Sequence, residues 1–281
     1  MNPLSTKEFP IMQNLTHTAQ DTHAIILAAG LGSRLKENTR ELPKCLVAVS
    51  DTPILARMLD NLQAIGVRRV SIVVGYLDAQ IRQFGSAWQS SHPHITLDFV
   101  QNPGFAHTGS VFSLSLALHA AAAGTQQQHL LLIEGDVVLD PALLADLLDS
   151  GSQADTHAAT LLAAYEPSLN GTFATCHNGI VSAWLHESVR NADFDLNSAF
   201  KTVNLTFIAR GTPRTQLLQE VDAVIHQQGV RAPLEYAMQQ LVVNGMPIRA
   251  VLTAGRPWFE VDTPEDLEIA NAMFCPLPQA A

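Results

Sequence analysis

The chain has 281 residues, of which 47% are hydrophobic and 15% are charged. This composition supports a substantial buried core and excludes wholesale disorder. Acidic residues number 26 against 16 lysines and arginines, which gives a formal net charge of −10 and argues against general binding to nucleic acid or to an anionic membrane.

The cysteines, the N-terminus and the apolar runs bear on the cellular setting. Cys45, Cys176 and Cys275 lie far apart and form no CxxC pair, so neither a disulfide framework nor a structural zinc site is expected. No apolar run reaches the roughly 18 residues of a membrane span, and residues 1–22 lack the basic start and apolar centre of a secretory signal. We therefore expect a cytoplasmic protein without membrane association. The oligomeric state is open, and a homo-oligomer is allowed.

Strand and helix patterns alternate from residue 23 to about residue 157. Residues 1–22 predict a flexible extension, because their sparse apolar side chains cannot offset the entropy of ordering. A continuous apolar run that ends at glycine predicts the first strand at 24–29. The elements that follow are predicted at 54–65, 70–74, 78–84, 95–100, 110–123, 129–133 and 143–148. This alternation predicts an α/β fold with a mostly parallel sheet covered on both faces.

After about residue 157 the pattern changes toward shorter, more antiparallel elements. Strands are predicted at 158–165, at 202–208 and as a pair within 172–185, around the turn signal His177-Asn178-Gly179. Helices are predicted at 216–227 and 234–244, followed by a strand that runs from 248 to 262 and a helix that starts near Thr263. No internal repeat or Pro/Ser-rich linker is present, so residues 23–275 are predicted to form one domain.

The most informative segment is LAAGLGSRLKENTRELPKCL, residues 27–46, directly after the first predicted strand. Gly30 and Gly32 let the backbone approach a ligand and present N–H groups to phosphates. Arg34 adds a permanently charged fork suited to phosphate oxygens, and Lys44 follows ten residues later. Neither a P-loop nor a complete GxGxxG fingerprint is present. The segment therefore indicates a phosphate-binding loop of another kind.

This string resembles the nucleotidyltransferases that couple an NTP to a phosphorylated small molecule. Their hallmark is LAAGxGxR followed by a proline–lysine pair ten residues after the arginine. The resemblance covers nearly all of residues 23–273 and implies a Rossmann-like, three-layer α/β/α (GT-A-like) fold. Its mixed, mostly parallel sheet would carry a nucleotide half at about 23–157 and a smaller antiparallel acceptor half at about 158–275. Phosphate contacts are implied for Gly30, Gly32, Ser33, Arg34 and Lys44, with Arg34 and Lys44 as the catalytic residues. Ala28 and Ala29 are implied to bind the nucleotide as well.

The departures from the hallmark favour one branch of the family. Glu37 and Asn38 stand where sugar-activating members usually have proline and leucine. With the PKCL string, this resembles the branch that activates phosphocholine or 2-aminoethylphosphonate with CTP and releases pyrophosphate. The alternatives are a sugar-1-phosphate nucleotidyltransferase that uses UTP or dTTP, whose usual RLxPLT string is missing here, and a non-catalytic nucleotide-binding regulatory subunit.

Two carboxylates at predicted strand ends resemble the family's metal ligands. Asp136 ends LLLIEGD and Asp262 ends WFEVD. Nucleotidyl transfer needs positive charge at the phosphates, which Mg²⁺ on one or two carboxylates supplies. Mg²⁺ is therefore the implied cofactor, with Asp136 and Asp262 as its ligands.

Further segments match the places where relatives recognise the base, the ribose and the acceptor. The residues predicted for the base and ribose are Gly75, Tyr76, Asn102, Thr108 and Ser110. The residues predicted for the acceptor are Glu134, Lys201, Trp258 and Glu260. The string KTVN at 201–204 resembles the aminophosphonate-activating relatives, and a lysine ammonium suits phosphonate oxygens.

The chemistry of the acceptor's amine leaves two arrangements open. A quaternary ammonium prefers an aromatic cage, which Phe105, Tyr165, Trp184 and Trp258 could build. A primary ammonium needs hydrogen-bond acceptors, which Glu134, Glu166 and Glu260 could supply. The chain is only 6% aromatic, which favours the aminophosphonate.

Overall fold

The computed structural model describes residues 17–122, 127–191 and 194–275. The strands are β1 Thr22–Ala28, β2 Ala48–Val49, β3 Thr52–Pro53, β4 Arg69–Val74, β5 Thr96–Gln101, β6 His129–Glu134, β7 Val137–Leu139, β8 Ala158–Ala164, β9 Phe173–His177, β10 Ile180–Leu185, β11 Phe200–Ile208, β12 Ile248–Leu252 and β13 Trp258–Glu260. The helices are α1 Ile54–Ala64, α2 Asp78–Ser91, α3 Ser110–Ala122, α4 Pro141–Ser152, α5 Thr212–Gln228, α6 Leu234–Val243 and α7 Pro264–Met273. Among the described helices, none is both long and apolar enough to cross a bilayer.

Both halves of the chain contribute strands to one sheet. Its nine strands follow the order β5-β4-β1-β6-β11-β8-β12-β10-β9. β5, β4, β1 and β6 run parallel, whereas β11 is antiparallel to β6 and β8, and β10 is antiparallel to β9 and β12. The predicted mixed sheet is confirmed, and each of its antiparallel pairs includes a strand from the second half of the chain.

Neighbouring residues of β1 show why helices cover both faces of this sheet. Ile25 and Ile26 are both fully buried but belong to different hydrophobic clusters. Ile26 packs with apolar residues of α1, α2 and α4, whereas Ile25 packs with those of α3, α5 and α6. Successive side chains of a strand point to opposite faces, so a continuous apolar run fills two cores. The predicted three-layer α/β/α architecture is confirmed.

The N-terminal boundary lies earlier than the sequence predicts. β1 begins at Thr22, and residues 17–20 are helical. Ala19 is completely buried in the core, and the Thr22 hydroxyl donates to the carbonyl of Thr18 at 2.6 Å. Residues 17–22 are therefore packed rather than flexible, because one small apolar side chain finds a place in the core. Residues 1–16 of the predicted extension lie outside the described residues.

The strand predicted from 248 to 262 is two strands in separate sheets. β12 pairs in parallel with β8, whereas β13 pairs antiparallel with β7. Between them lies Gly255, whose φ is 78°, a conformation that interrupts an extended chain.

The pairing of β7 with β13 brings two predicted site residues together, because Asp136 precedes β7 and Asp262 follows β13. The N–H of Val261 donates to the carbonyl of Asp136 at 3.0 Å, which brings the two aspartates side by side.

β11 changes its neighbour half-way along. Phe200 and Lys201 pair with β9, and the segment from Leu205 to Ile208 pairs with β6, while β8 follows the other edge. Asn204 lies where the register with β8 shifts, and its φ is 64°. Such a bulge re-aims a side chain, and Asn204 lines the cavity described below.

Candidate active site

A cavity of about 470 Å³ opens at the carboxyl ends of β1 and β6. Ligands of open α/β sheets bind at this edge. Most of the predicted site residues meet here. Those that line the cavity are Ala28, Ala29, Gly30, Gly32, Ser33, Arg34, Lys44, Asn102, Thr108, Ser110, Glu134, Asp136, Lys201, Glu260 and Asp262.

The loop that contains Gly30 and Gly32, called the glycine loop below, packs directly against Lys44. Gly32 has a φ of 62°, and a Cβ at this position would lie 2.9 Å from the Cβ of Lys44. Glycine alone combines this conformation with so close an approach at little cost. The buried hydroxyl of Thr39 donates to the carbonyl of Gly32 at 2.8 Å and closes the loop. Sequence reasoning did not single out Thr39, which carries no chemistry that a ligand would need.

Lys44 lies between the two predicted metal ligands. Its Nζ is 2.5 Å from Oδ2 of Asp136 and 2.5 Å from Oδ1 of Asp262. Arg34 donates from Nη2 to the same Oδ1 of Asp262 at 2.7 Å. Burial opposes the charged ammonium, but the two carboxylates outweigh it and raise the pKa of Lys44 above its ordinary value. Lys44 is therefore a fixed positive charge beside the glycine loop.

At the other end of the cavity, Lys201 and Asn204 hold two acidic side chains. Lys201 is 4% exposed, and its Nζ donates to Oε2 of Glu260 and to the carbonyl of Thr202, both at 3.0 Å. Nδ2 of Asn204 donates to Oε2 of Glu134 and to Oε1 of Glu260, each at 3.2 Å. The predicted acceptor residues Glu134, Lys201 and Glu260 thus form one hydrogen-bonded group.

The acidic groups at this end have perturbed pKa values. Burial raises the pKa of Glu134 well above its ordinary value, and the negative charges of Glu235, Asp136 and Glu260 raise it further. Burial also raises the pKa of Glu260, against the opposing charge of Lys201. Burial is the largest cause of both shifts, and neighbouring carboxylates add to it.

The acidic side chains fit a divalent cation. Glu134, Asp136 and Glu260 each offer one carboxylate oxygen, and these atoms lie within 4.8 Å of one another. Oδ1 of Asp136 is buried and has no hydrogen-bond partner among the described residues. Carboxylate oxygens are the ligands that Mg²⁺ prefers in proteins. Asp136 belongs both to this group and to the predicted pair with Asp262.

The residues predicted for the base and ribose shape one wall of the cavity. Nδ2 of the buried Asn102 donates to the hydroxyls of Thr108 and Ser113 at 2.9 and 3.0 Å, and its Oδ1 accepts from the N–H of Gly104 at 3.0 Å. Asn102 thus holds the loop from 102 to 113 in shape. The hydroxyl of Ser110 accepts from the N–H of Leu234 at 2.7 Å, which ties the start of α3 to the start of α6.

Three predicted residues do not line the cavity. A Cβ on Gly75 would lie 2.6 Å from the Cβ of Phe105. Tyr76 donates its N–H to the carbonyl of Ala29 at 3.0 Å and its hydroxyl to the carbonyl of Arg40 at 2.6 Å. Tyr76 thus joins the ends of β1 and β4, and Gly75 allows the close approach of the chain beside it. Trp258 packs against the hydrophobic core on the sheet face of α1, α2 and α4.

Sequence reasoning missed eight residues from the second half of the chain that line the cavity. They are Asn170, Gly171, Thr172, His186, Glu187, Asn204, Pro233 and Glu235. Asn204 is the last residue of the KTVN string, which was a usable signal. Glu235 lies in the first turn of a predicted helix, where acidic residues are common for reasons of helix stability alone.

Comparison with protein families identifies the fold and its class. Residues 24–241 match the family described as the MobA-like NTP transferase domain. The chain belongs to this family. It is therefore a member of the nucleotidyltransferases, in agreement with the glycine loop, Lys44 and the paired aspartates.

Two curated relatives are named for aminoalkylphosphonates. The CMP-5'-(3-aminopropyl)phosphonate synthase of Streptomyces rubellomurinus is 31% identical over 265 residues, which are 93% of this chain and 40% of that protein. The 2-aminoethylphosphonate cytidylyltransferase of Lancefieldella rimae is 33% identical over 121 residues, which are 43% of this chain and 45% of that protein. The chain thus spans less than half the length of these two relatives.

Solved structures share the fold. The inositol-1-phosphate CTP transferase of T. maritima superposes with a TM-score of 0.70 at 18% identity, over 94% of this chain and 98% of that chain. The CTP:phosphocholine cytidylyltransferase of Streptococcus pneumoniae superposes with a TM-score of 0.70 at 20% identity, over 90% of this chain and 98% of that chain. Both likenesses confirm the three-layer architecture.

Proposed function

We propose that this chain is a cytidylyltransferase that transfers CMP from CTP to an aminoalkylphosphonate and releases pyrophosphate. The acceptor is 2-aminoethylphosphonate or its three-carbon homologue. One observation carries this proposal: a single cavity joins the glycine loop and Lys44 to Lys201 and Glu260. The names of the two relatives that act on aminoalkylphosphonates support it.

The nucleotide end of the cavity suits a triphosphate. The glycine loop presents N–H groups, while Lys44 and Arg34 supply fixed positive charge that developing negative charge at the phosphates would meet. Mg²⁺ on Asp136 and Asp262 would neutralise further phosphate charge when bound. In the reaction, a phosphonate oxygen bonds to the α-phosphorus of CTP as the bond from that phosphorus to the pyrophosphate oxygen breaks. An ionised phosphonate needs no general base, so alignment and electrostatic stabilisation carry the catalysis.

The acceptor end favours a primary over a quaternary ammonium. Phe105 lines the cavity, but Tyr165, Trp184 and Trp258 do not, so the described lining offers no aromatic cage. Six carboxylates line the cavity, against three permanent cations: Glu134, Asp136, Glu187, Glu235, Glu260 and Asp262 face Arg34, Lys44 and Lys201. A primary ammonium donates hydrogen bonds to such carboxylates, whereas a trimethylammonium group cannot.

Pyrophosphate release tests the proposal. Each of the four NTPs is combined with Mg²⁺ and with 2-aminoethylphosphonate, 3-aminopropylphosphonate, phosphocholine or glucose-1-phosphate. We expect release with CTP and an aminoalkylphosphonate, its loss in EDTA, and its recovery when Mg²⁺ is added back. Asp262→Asn should lower the rate at least tenfold, and the exposed Glu268→Gln should not change it.

Other outcomes would contradict the proposal. Release only with glucose-1-phosphate and UTP or dTTP would assign the chain to the sugar-activating branch. Binding of CTP without pyrophosphate release from any acceptor would favour a regulatory subunit. The cytoplasmic setting and the division into a nucleotide half and an acceptor half stay predictions.

A further inference from the structure

The part of the cavity lined by Glu134, Glu187 and Glu235, called the inner wall below, contains acidic groups without a cationic partner among the described residues. Glu134, Glu187 and Glu235 line the cavity, and none of the three forms an ion pair within the described part of the chain. Glu187 is exposed, whereas Glu134 and Glu235 are partly buried. Carboxylates that are removed from water without a cation are costly. Glu134 already belongs to the group that fits a divalent cation, whereas Glu235 lies outside it, so the partly buried Glu235 indicates a further cationic ligand.

Asn204 orients Glu134 toward this wall. Its Nδ2 reaches Oε2 of Glu134 and Oε1 of Glu260, and its Oδ1 accepts from the hydroxyl of Thr202 at 2.9 Å. Both amide hydrogens are therefore used to hold the two carboxylates. The left-handed conformation of Asn204 lies at the bulge where β11 changes its neighbour, so the strand itself directs the amide into the cavity.

Glu235 is brought to the same wall from a different layer. It lies in the first turn of α6, whose start is held by the hydrogen bond from the N–H of Leu234 to the hydroxyl of Ser110. A small adjoining void of about 20 Å³ is bordered by both Glu134 and Glu235, together with Asn204. The two glutamates therefore lie around one space, although they come from β6 and α6.

Trp184 provides an independent observation at this wall. It is 3% exposed, borders the same void, and its buried Nε1 has no hydrogen-bond partner among the described residues. A buried indole N–H usually has a polar partner. Trp184 belongs to the hydrophobic cluster under α3, α5 and α6, so this unpartnered donor lies where that core meets Glu134 and Glu235.

Lys201 indicates the direction in which an acceptor lies. Its ammonium has three N–H groups, and two of them reach Glu260 and the carbonyl of Thr202. The third has no hydrogen-bond partner among the described residues and can donate to a phosphonate oxygen. An acceptor with its phosphonate at Lys201 would find Glu134 and Glu235 in the same cavity as partners for its ammonium group.

We propose that Glu134 and Glu235 bind the ammonium group of the acceptor, and that Glu235 selects amine-bearing acceptors. This proposal rests on the proposed function. Asn204 is a positioning residue in this arrangement, because it acts through Glu134 rather than on the ligand. The class of acceptor is a zwitterion with a primary amine separated by a short alkyl chain from an anionic phosphonate.

The role of Glu235 is tested by comparing two acceptors in each of two proteins. Steady-state kinetics with CTP and Mg²⁺ compare 2-aminoethylphosphonate with ethylphosphonate, which lacks only the amine, in the wild type and in Glu235→Gln. We expect the wild type to prefer the amine-bearing acceptor at least 100-fold in kcat/KM. Glu235→Gln should lose at least tenfold of that preference through a higher KM for 2-aminoethylphosphonate.

Controls separate recognition of the amine from general damage. The Kd for CTP should be the same in Glu235→Gln and the wild type, and Glu268→Gln should keep the full preference. Asn204→Ala should reduce the preference, and Asn204→Asp should not restore it, because an added carboxylate repels Glu134 and Glu260. If Glu235→Gln does not fold, Glu235→Asp, which keeps the charge, should retain most of the preference.

Two results would overturn the assignment, and they differ from one another. Equal preference for the amine in the wild type and Glu235→Gln would overturn the role of Glu235 while leaving the proposed function intact. No pyrophosphate release from CTP with any phosphonate would overturn the proposed function itself, and the ammonium site with it.

Discussion

Nζ of Lys44 lies 2.5 Å from Oδ2 of Asp136, although 92 residues separate them in the sequence. It lies at the same distance from Oδ1 of Asp262, which is 218 residues away. The segment after the glycine loop, the end of β6 and the end of β13 therefore meet at one ammonium group. In the proposed function this ammonium group has the nucleotide phosphates as its further partner.

Loss of the Lys44 charge should abolish most catalysis without unfolding the protein. Lys44→Met removes an ammonium group that would meet negative charge in the transition state, so turnover should fall about 10²–10³-fold. Pyrophosphate release measures the turnover, and circular dichroism checks the fold. Arg68→Ala, which removes an exposed cation on the loop before β4, should leave the rate unchanged. A folded Lys44→Met protein with wild-type turnover would remove Lys44 from the phosphate site.

The buried pair of Lys201 and Glu260 should show strong coupling in stability. Lys201→Met leaves the largely buried Glu260 carboxylate without its cation, which costs about 3–5 kcal/mol of unfolding free energy. Glu260→Gln in the same protein should restore part of that loss, because the uncompensated charge is then gone. Urea unfolding of the two single variants and the double variant measures the coupling.

An exposed ion pair provides the matched control for this cycle. Arg40 and Glu37 lie 2.8 Å apart, with side chains 70% and 76% exposed, and such pairs contribute about 0–1 kcal/mol. Arg40→Ala should therefore change the urea midpoint little. Strict additivity of the Lys201 and Glu260 substitutions, within about 0.5 kcal/mol, would show that the buried pair is not coupled.

Two glycines of the cavity should respond differently to the same substitution. A Cβ on Gly109 would overlap the carbonyl oxygens of Arg231 and Ala232, whereas a Cβ on Gly30 has no atom within 4 Å. Gly109→Ala should therefore cost about 1–3 kcal/mol, while Gly30→Ala should change stability by less than about 0.5 kcal/mol. Denaturant midpoints compare the two variants. Equal midpoints would mean that the loop before α3 does not pack on the segment before α6 as described.

Acid should destabilise the protein through a buried histidine. His23 is 1% exposed and its Nε2 lies 2.8 Å from the hydroxyl of Ser71; burial, together with the charges of Arg69 and Arg214, lowers its pKa to about 4. As the pH falls, the unfolded chain takes up this proton near pH 6.5, whereas the folded protein takes it up only near pH 4. Unfolding is therefore coupled to the uptake of a proton between about pH 6.5 and pH 4. The contribution of His23 is therefore complete above pH 6.5 and is lost as the pH falls toward 4.

The size of this effect can be measured against a surface histidine. Each pH unit within that window should remove about 1.4 kcal/mol of unfolding free energy for one such group. His129, whose pKa is also lowered to about 4 by burial, adds to the slope. His23→Gln should reduce the slope of unfolding free energy against pH, and substitution of the exposed His94 should not. An unchanged slope in His23→Gln would contradict the assignment.

Features that depend on a few neighbouring residues were predictable from the sequence alone. The apolar run that ends at Gly30 forms β1, and the turn signal at Asn178-Gly179 joins β9 to β10. The helix predicted to start near Thr263 is α7, and Thr263 and Asp266 form a capping box at its start. Hydrophobic period, turn chemistry and capping act over a few residues, so local sequence is enough to specify them.

Features that depend on how distant segments pack were decided by the tertiary structure. Trp258 and Tyr76 have the chemistry of binding residues. Trp258, however, packs against the hydrophobic core, and the hydroxyl of Tyr76 donates to the backbone carbonyl of Arg40. Glu235 looks like an ordinary residue of a helix start, yet the contact between Leu234 and Ser110 brings it to the cavity. The sequence by itself determined the fold class, the glycine loop and the residues that meet at Lys44. The tertiary structure alone decided which acidic side chains share a buried wall, because that depends on the packing of α6 and the bulge in β11.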